Sequence, residues 1–349
     1  MFNNQFGVPL PLAVWLATDD YQYAKYPNEL SATTLLKSSR YIMNAQRTMY
    51  PEAFPEHLRP IVVESVNPED YPDLQDRIAN RVGTAIHEAV EKAWKNNAKP
   101  ALLSLGYPQN AVDRVVINPE PKDLKPDSVA IYSENRMYRE IEVEGHKFTI
   151  SGQYDMIVEG YLHDIKTTST YSYETGCNDE KYMLQGSIYR WLNPELITGD
   201  TLTINFVFLD WKKFQANASN EKYPPAKAFK REYKLLSLEE TEMFIRNKLK
   251  IHVQHLDSPL ELIPCCGEKE LFSSPPTFKY YKTGYEEGKR ATKNFDTLAE
   301  ASKYRAEKGH YEGDIVEYRG NPFMCPCCNP DEVMALTMNI NKSNKLVIS

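Results

Sequence analysis

The sequence predicts a mixed α/β fold, with helices packed against a mixed β-sheet, and three observations carry that reading. Apolar residues recur at helical spacing over residues 73–96 and 179–192. Residues 136–144 and 147–159, and the stretch around Asp164, alternate with the period of a strand. Residues 201–211 (TLTINFVFLDW) have the β-branched and aromatic content of a buried strand. A chain of 349 residues with 42% apolar and 26% charged content fits a soluble globular protein of one large domain or two smaller ones. Its net charge of -7 excludes a global positive field, so any contact with a polyanion must come from local patches. No apolar run is long enough to span a bilayer, and residues 1–18 lack the basic start and small-residue cleavage site of a secretion signal. The expected location is the compartment of synthesis, the cytoplasm.

Residues 1–72 read as an irregular and helical N-terminal region. Ser31 suits the N-cap of a helix over residues 32–45, whose first N–H groups are placed to receive a phosphate. Proline-rich residues 51–72 read as a loop or linker. The helix over 73–96 has Val82, Ile86, Ala89 and Ala93 at core spacing, with Gly83, His87 and Glu91 in one strip on its flank. Gly83 costs about 1 kcal/mol against Ala, which makes sense if something approaches that strip closely.

Residues 151–166 (SGQYDMIVEGYLHDIK) read as two strands joined by a tight turn at Glu159-Gly160. Asp164 and Lys166 share a face, with Cα atoms about 6.6 Å apart. Asp155 shares a face with Ser151 and Gln153, while Phe148, Ile150, Tyr154, Met156 and Val158 suit the core. Two carboxylates and an ammonium near one surface are costly unless a metal or a substrate compensates them. In the helix over 179–192, Leu184, Ile188, Trp191 and Leu192 make the buried stripe. Gln185 and Tyr189, four apart, share the neighbouring face.

Residues 211–234 hold seven Lys/Arg against two Glu, interleaved with Phe214, Tyr223, Phe229 and Tyr233. That is a candidate backbone-contacting ribbon. Ser237-x-x-Glu240 is a capping box opening a helix to about residue 255. The division expected is an N-terminal region (1–72), a core (73–256) and a small C-terminal module (257–349). The module contains Lys279, Lys282, Lys289, Arg290 and Lys293, a helix from Thr297 closed at Gly309, and a strand over 314–319. It also holds the Cys265-Cys266 pair and the Cys325-Pro-Cys327-Cys328 cluster, a grouping that favours a metal site over disulfides in a chain without a secretion signal.

In chain order the motifs are Gly83-x-x-x-His87 on a helix, Gly152-x-x-Asp155 on a strand, Asp164-Ile-Lys166 on a strand and Gln185-x-x-x-Tyr189 on a helix. This series resembles the RecB-like branch of the PD-(D/E)XK nuclease superfamily. Lys166-Thr167-Thr168 and the aromatic-basic tail before a cysteine cluster look like phage-encoded exonucleases of that branch. The resemblance implies a restriction-endonuclease-like core and a divalent-metal-dependent DNA exonuclease acting in phage recombination or DNA degradation. A structure-specific endonuclease or nickase, and a catalytically silent DNA-binding protein, are the alternatives. Phosphodiester hydrolysis needs a cation to offset charge on the phosphate and to lower the pKa of the attacking water. His87, Asp155, Asp164 and the Ile165 backbone carbonyl are the expected ligands of Mg²⁺ or Mn²⁺. Glu91, Glu140 and Glu142 rank below them. Lys166 would position or deprotonate the water or stabilise phosphorane-like charge, and Gln185 and Tyr189 would hold Lys166 and the DNA backbone in register. Candidate DNA contacts are Ser31, Thr167, Lys212, Lys213, Lys230, Lys282 and Arg290. For the cysteines, Cys266, Cys325 and Cys328 with Cys265, Cys327 or His310 would make a tetrahedral Zn²⁺ site. An iron–sulfur cluster is a poorer match because no cysteine precedes Cys177, and a metal-free cluster is the remaining alternative. DNA is the expected partner; a recombination partner protein is compatible with the sequence but not identified by it.

Overall fold

The computed structural model describes residues 2–18, 24–59, 72–217, 222–264, 277–286, 289–307, 313–318 and 347–348. Its elements are α1 (Leu10–Ala17), β1 (Glu29–Ser31), α2 (Ala32–Leu35), α3 (Ser39–Met49), α4 (Ile78–Ser104), α5 (Gln109–Asp113), β2 (Val115–Ile117), β3 (Val129–Ser133), β4 (Arg136–Val143) and β5 (His146–Gln153). They continue with β6 (Met156–Val158), β7 (Tyr161–Thr168), α6 (Thr170–Thr175), α7 (Asp179–Leu192), β8 (Thr201–Phe208), α8 (Lys213–Ala216), β9 (Ala228–Lys234) and α9 (Leu238–Gln254). The last are β10 (Thr277–Tyr281), β11 (Lys293–Phe295), α10 (Leu298–Glu307), β12 (Asp314–Tyr318) and β13 (Val347–Ile348). The chain is a mixed α/β protein of two compact units, Met1–Leu36 with Ile61–Val253, and Lys37–Pro60 with Gln254–Ser349.

In the first unit a six-stranded mixed sheet has the order β2-β3-β6-β7-β8-β9, and a three-stranded sheet has the order β1-β5-β4. One antiparallel hairpin feeds both sheets. The strands β4 and β5 are joined at Glu144-Gly145, both at positive φ, as two-residue hairpin turns require. Their register, Arg136 opposite Gln153, carries on into the Ser133–Met156 pair of β3 and β6. Between those pairs the ladder opens, so the predicted strand over 147–159 is two strands in different sheets. β5 does not follow simple alternation: Ile150, Ser151 and Gly152 are all buried, so the strand is covered on both faces. The predicted turn at Glu159-Gly160 is present, with both residues at positive φ, and returns the chain as β7.

Helix α7 forms over the predicted residues and buries Ile188, Trp191 and Leu192. It lies on β5 at Gly152, where an added Cβ would fall 2.8 Å from Leu192 Cδ1 and from Tyr189 Cε1. It lies on β8 at Gly186, where a Cβ would fall 2.9 Å from Leu202 Cδ2. The capping box at α9 closes reciprocally, with the Ser237 N–H donating to Glu240 Oε2 at 2.8 Å and the Glu240 N–H to Ser237 Oγ at 3.1 Å.

Two helical expectations need correction. The stripe Val82, Ile86, Ala89 and Ala93 is not the packed face of α4, since both alanines are exposed. Trp94 and Leu102 instead pack on Val115, Ile131 and Met156, and Ala98 is buried. Those larger apolar surfaces outweigh the alanines and set the helix's rotation. The single helix over 32–45 is two helices. Ser31 caps α2 by accepting from the Thr34 N–H at 3.1 Å, and Ser38 starts α3 by accepting from the Tyr41 N–H at 3.2 Å. A second good N-cap in mid-run lets the chain restart its helix.

In the second unit, α10 packs on the antiparallel sheet β11-β10-β12-β13 through Phe278, Tyr280, Ala301 and Ile315. Buried Arg40 and Arg47 on α3 donate to backbone carbonyls of residues 255–263: Arg40 Nε to Ile263 at 2.8 Å, Arg47 to Leu256 at 3.1 Å and to Ser258 at 2.7 Å. These charge-assisted bonds satisfy carbonyls that a non-regular segment leaves open. The Cys265, Cys266, Cys325, Cys327 and Cys328 zinc proposal, with His310 and Gly309, lies outside the described residues.

The contact at Gly152 yields a prediction. Gly152→Ala should destabilise the folded protein by about 1–3 kcal/mol, because the overpacked Cβ must push Tyr189 and Leu192 aside. Urea denaturation followed by circular dichroism measures it; wild-type stability would show that α7 does not press on β5 there.

Candidate functional site

The place where the long hairpin opens is where its acidic residues gather. Glu134 lies ten residues before Glu144 and Asp155 ten after Gly145, so the register of the flanking pairs sets the two side by side. Their backbones meet there, with the Glu134 N–H donating to the Asp155 carbonyl at 3.1 Å. One step beyond the Met156–His163 pair, Asp155 also faces Asp164 on β7. Three carboxylates thus line up across three consecutive strand segments. Like charges directly opposite one another destabilise a sheet, so the row needs positive charge.

Part of that charge is supplied by the chain. His87 Nδ1 lies 3.2 Å from Asp155 Oδ2. The helix rotation fixed by Trp94 brings His87, two turns earlier on the same face, to this edge. Asp155 Oδ2 also accepts the Ile165 backbone N–H at 2.7 Å, which leaves Oδ1 without a hydrogen-bond partner among the described residues. Glu134 stands at φ 52, a left-handed backbone uncommon for a side chain of its size, and Gln153 Nε2 donates to its Oε2 at 2.6 Å. Lys166 Nζ lies 2.7 Å from Asp164 Oδ2. The approach is outside hydrogen-bond angles, so the contact is coulombic rather than directional. Asp164 is buried, while Lys166 keeps 26% of its side chain exposed.

Protonation follows from these contacts. Burial pushes Asp164 up to about 6, against the pull of Lys166 and with the push of Asp155. Burial also raises Glu134, helped by the Asp155 charge and opposed by Gln153. For His87, burial acts downward but the bond and charge of Asp155 outweigh it, so its pKa is raised. Burial likewise acts to lower Lys166, and Asp164 and Asp155 overcome it, so the ammonium holds its proton more tightly than a free lysine.

One ligand atom each from His87, Glu134 and Asp155 lies within 4.8 Å of the other two. This spread and this nitrogen-and-oxygen donor set fit a divalent cation such as Mg²⁺ or Mn²⁺. With His87 neutral, three carboxylates against one ammonium leave two negative charges, which one divalent cation balances. Glu134 was missed in the sequence because acidic ligands were sought on the strand over 136–144. Glu140 and Glu142 are exposed on β4, and Glu91 pairs with Lys95. The signal was available: the two-residue turn at Glu144-Gly145 fixes a register that sets Glu134 against Asp155.

The other nominated residues fall as follows. Gln185 Nε2 donates to the Tyr189 hydroxyl at 2.7 Å, and both are buried. Tyr189 is near enough to act on the charges of Asp164 and Lys166, which suits positioning of that pair and not a direct hold on a DNA backbone. Thr167 points to the face opposite Lys166, with its hydroxyl buried and unbonded. Ser31 spends its hydroxyl on the cap of α2, which is too short to present an anion site. Lys212 and Lys213 are exposed by α8, and Lys230 pairs with Glu232 at 2.6 Å, so none of these joins the carboxylate row. Lys282 and Arg290 belong to the second unit. A Cβ on Gly83 would meet nothing within 4 Å outside the neighbouring backbone of its own helix, so among the described residues the close approach expected on that strip is made at His87 and not at Gly83.

No protein-family profile matches the sequence, and no curated protein does. Among solved structures the chain aligns with the protein SSO0001 at 16% identity over 71% of this chain and 86% of that one, TM-score 0.38. It aligns with a phage-related exonuclease from Haemophilus somnus 129PT at 16% identity over 37% of this chain and 60% of that one, TM-score 0.24. An alkaline exonuclease from Laribacter hongkongensis aligns at 8% identity over 66% of this chain and 90% of that one, TM-score 0.32. Similarity this low says nothing about what this chain does. No helix among the described residues is long and apolar enough to cross a membrane.

A cation here must displace protons that His87 and Asp164 hold more tightly than usual. Mn²⁺ affinity should therefore fall by about tenfold or more from pH 8 to pH 6, with protons released on binding. Titration calorimetry in two buffers of different ionisation enthalpy reads both quantities, and a flat affinity would contradict the ligand set. Glu134→Gln should weaken Mn²⁺ binding by about 10–100-fold at pH 8; unchanged affinity would remove Glu134 from the site.

Proposed function

We propose that this chain is a divalent-metal-dependent deoxyribonuclease of the PD-(D/E)XK type, and an exonuclease on DNA ends. The observation that supports it is the meeting of His87, Glu134 and Asp155 beside the Asp164–Lys166 pair, from a helix and two β-hairpins. Sequence motifs resembling that superfamily fall on α4, β5–β6, β7 and α7 in order. The exonuclease form and a role in phage DNA recombination or degradation are carried by the motif resemblance.

A bound divalent cation would supply charge compensation for the phosphate and a more acidic attacking water. His87, Glu134 and Asp155 would hold it, with Asp164 as a further carboxylate and the Ile165 carbonyl next to it on β7. The chain's own residues set the rest. The Ile165 N–H fixes the Asp155 carboxylate against β7. Lys166, whose proton is held by two carboxylates, orients a water or a phosphate oxygen by charge and hydrogen bonding, in preference to accepting a proton. Tyr189 and Gln185, buried and bonded to each other, stand near enough to act on the charges of Asp164 and Lys166 and would position that pair.

Asp155→Ala should lower cleavage of linear DNA in Mg²⁺ or Mn²⁺ by at least about 1000-fold, and Lys166→Ala by about 100–1000-fold, with folding retained. Near-normal cleavage by either folded variant would refute the assignment. An end-labelled time course on linear, covalently closed and end-blocked DNA should show loss from free ends alone; cutting of closed circles would make the protein an endonuclease.

A further inference from the structure

A cavity of about 530 Å³ in the first unit opens between α4 and the face of the six-stranded sheet opposite α7. The register lays out its floor. Ile165, Asn205 and Lys230 stand side by side across β7, β8 and β9, and His163, Thr203 and Glu232 form the next row on the same face. Helix α4 covers only part of that face: it brings Val90 and Trp94 to the cavity, while Asn205 and Val207 stay half-buried and Lys230 is exposed. The walls are mainly apolar, but two polar side chains face in with hydrogen-bonding capacity left over. His163 makes no hydrogen bond among the described residues. Asn205 directs its Nδ2 at two carbonyls over long contacts of 3.4 and 3.5 Å, and its Oδ1 has no partner among the described residues. Lys230, the ammonium in the wall, is already paired with Glu232 at 2.6 Å. The cavity also adjoins the carboxylate site. Val90 lies three residues after His87 on α4, Met156 follows Asp155, and Ile165 is the residue whose N–H donates to Asp155 Oδ2. Asn205 stands one strand spacing, about 4.8 Å, beyond Ile165.

We propose that this cavity takes up one unpaired nucleobase of a DNA strand whose phosphate lies at the carboxylate site. The chemistry selects a base over the other parts of a strand. A phosphate entering here would sit among apolar side chains and meet an ammonium that Glu232 has already neutralised. A base brings a flat ring for Trp94 and the aliphatic wall, and an edge of donors and acceptors for an imidazole and an amide. A purely aliphatic ligand would leave those two groups without partners in a closed site. Position selects a strand, because a base held at Asn205 puts the neighbouring phosphate beside His87, Glu134 and Asp155. This deepens the nuclease reading by naming how the strand is gripped next to the cut, and it rests on that reading for the identity of the strand.

The test uses the full chain in Ca²⁺ without Mg²⁺ or Mn²⁺. The probes are fluorescent DNA tetranucleotides, intact or lacking one base at a time, and free dAMP. Removing the base at one position should weaken binding to the wild type by about tenfold. His163→Leu with Asn205→Leu, which removes the edge contacts, should bind the intact strand about tenfold more weakly and no longer distinguish it from the abasic one. Val207→Trp, which fills the cavity from the sheet side, should do the same. Thermal melting checks that both variants fold, and either folded variant suffices. Equal affinity of the wild type for the intact and every abasic strand would overturn the proposal, as would wild-type affinity and base dependence in the folded variants. Binding of dAMP through His163 and Asn205 with no base dependence in the strand would assign the cavity to a free nucleotide and overturn it too. If the wild type shows the base dependence yet cleaves no DNA in Mn²⁺, the nuclease reading fails and the cavity assignment stands.

Discussion

The Asp155 carboxylate is held by a backbone N–H from β7, faces an imidazole from α4, and lies in register with an acid on either side. Everything else about the first unit can be understood as what it takes to keep that group there. A continuous strand would have made Asp155 one more rung of a ladder. The hairpin opens between the Arg136–Gln153 and Ser133–Met156 pairs, where Glu134 and Asp155 keep the bond from the Glu134 N–H to the Asp155 carbonyl while their registers stay fixed by the turns. Three carboxylates then crowd one line. Such a row is expensive to hold together, and a small, doubly charged cation would relieve it.

Packing keeps this fork rigid. Helix α7 straddles both sheets and comes close enough to each to require a glycine, Gly152 on β5 and its own Gly186 over β8. On the other side, Trp94 fixes how α4 is turned, and with it where His87 points. A ligand set drawn from one loop would drift with the loop; this one is tied to the geometry of two sheets. The raised pKa of Lys166 belongs to the same balance, since an ammonium held against two carboxylates remains a cation until another charge relieves it.

Much of this was legible in the residues. Period-two alternation, the Glu159-Gly160 turn, the capping box at Ser237 and the helical stripe ending at Trp191 and Leu192 are local signals, and local physics decides them. The Asp164-x-Lys166 pairing follows from strand geometry alone. What failed needed information from elsewhere in the chain. The face of α4 was misread because alanines at regular spacing look like a core stripe until a nearby tryptophan claims the sheet. The break between α2 and α3 turns on Ser38 competing as a cap. Strand 147–159 was split by a change of sheet that its own sequence does not announce. Glu134 sits in a polar linker between strands, where a carboxylate is ordinary, and it acquires meaning only through the register that the Glu144-Gly145 turn imposes.

The most direct test of the carboxylate row as a cation site is diffraction from a Mn²⁺-soaked crystal, with anomalous scattering at the manganese edge. The account predicts a peak at about 2.0–2.3 Å from Asp155 Oδ1, with His87 and at least one of Glu134 and Asp164 as further ligands. No peak at the fork, or manganese bound elsewhere while His87 still faces Asp155 across the present contact, would contradict it.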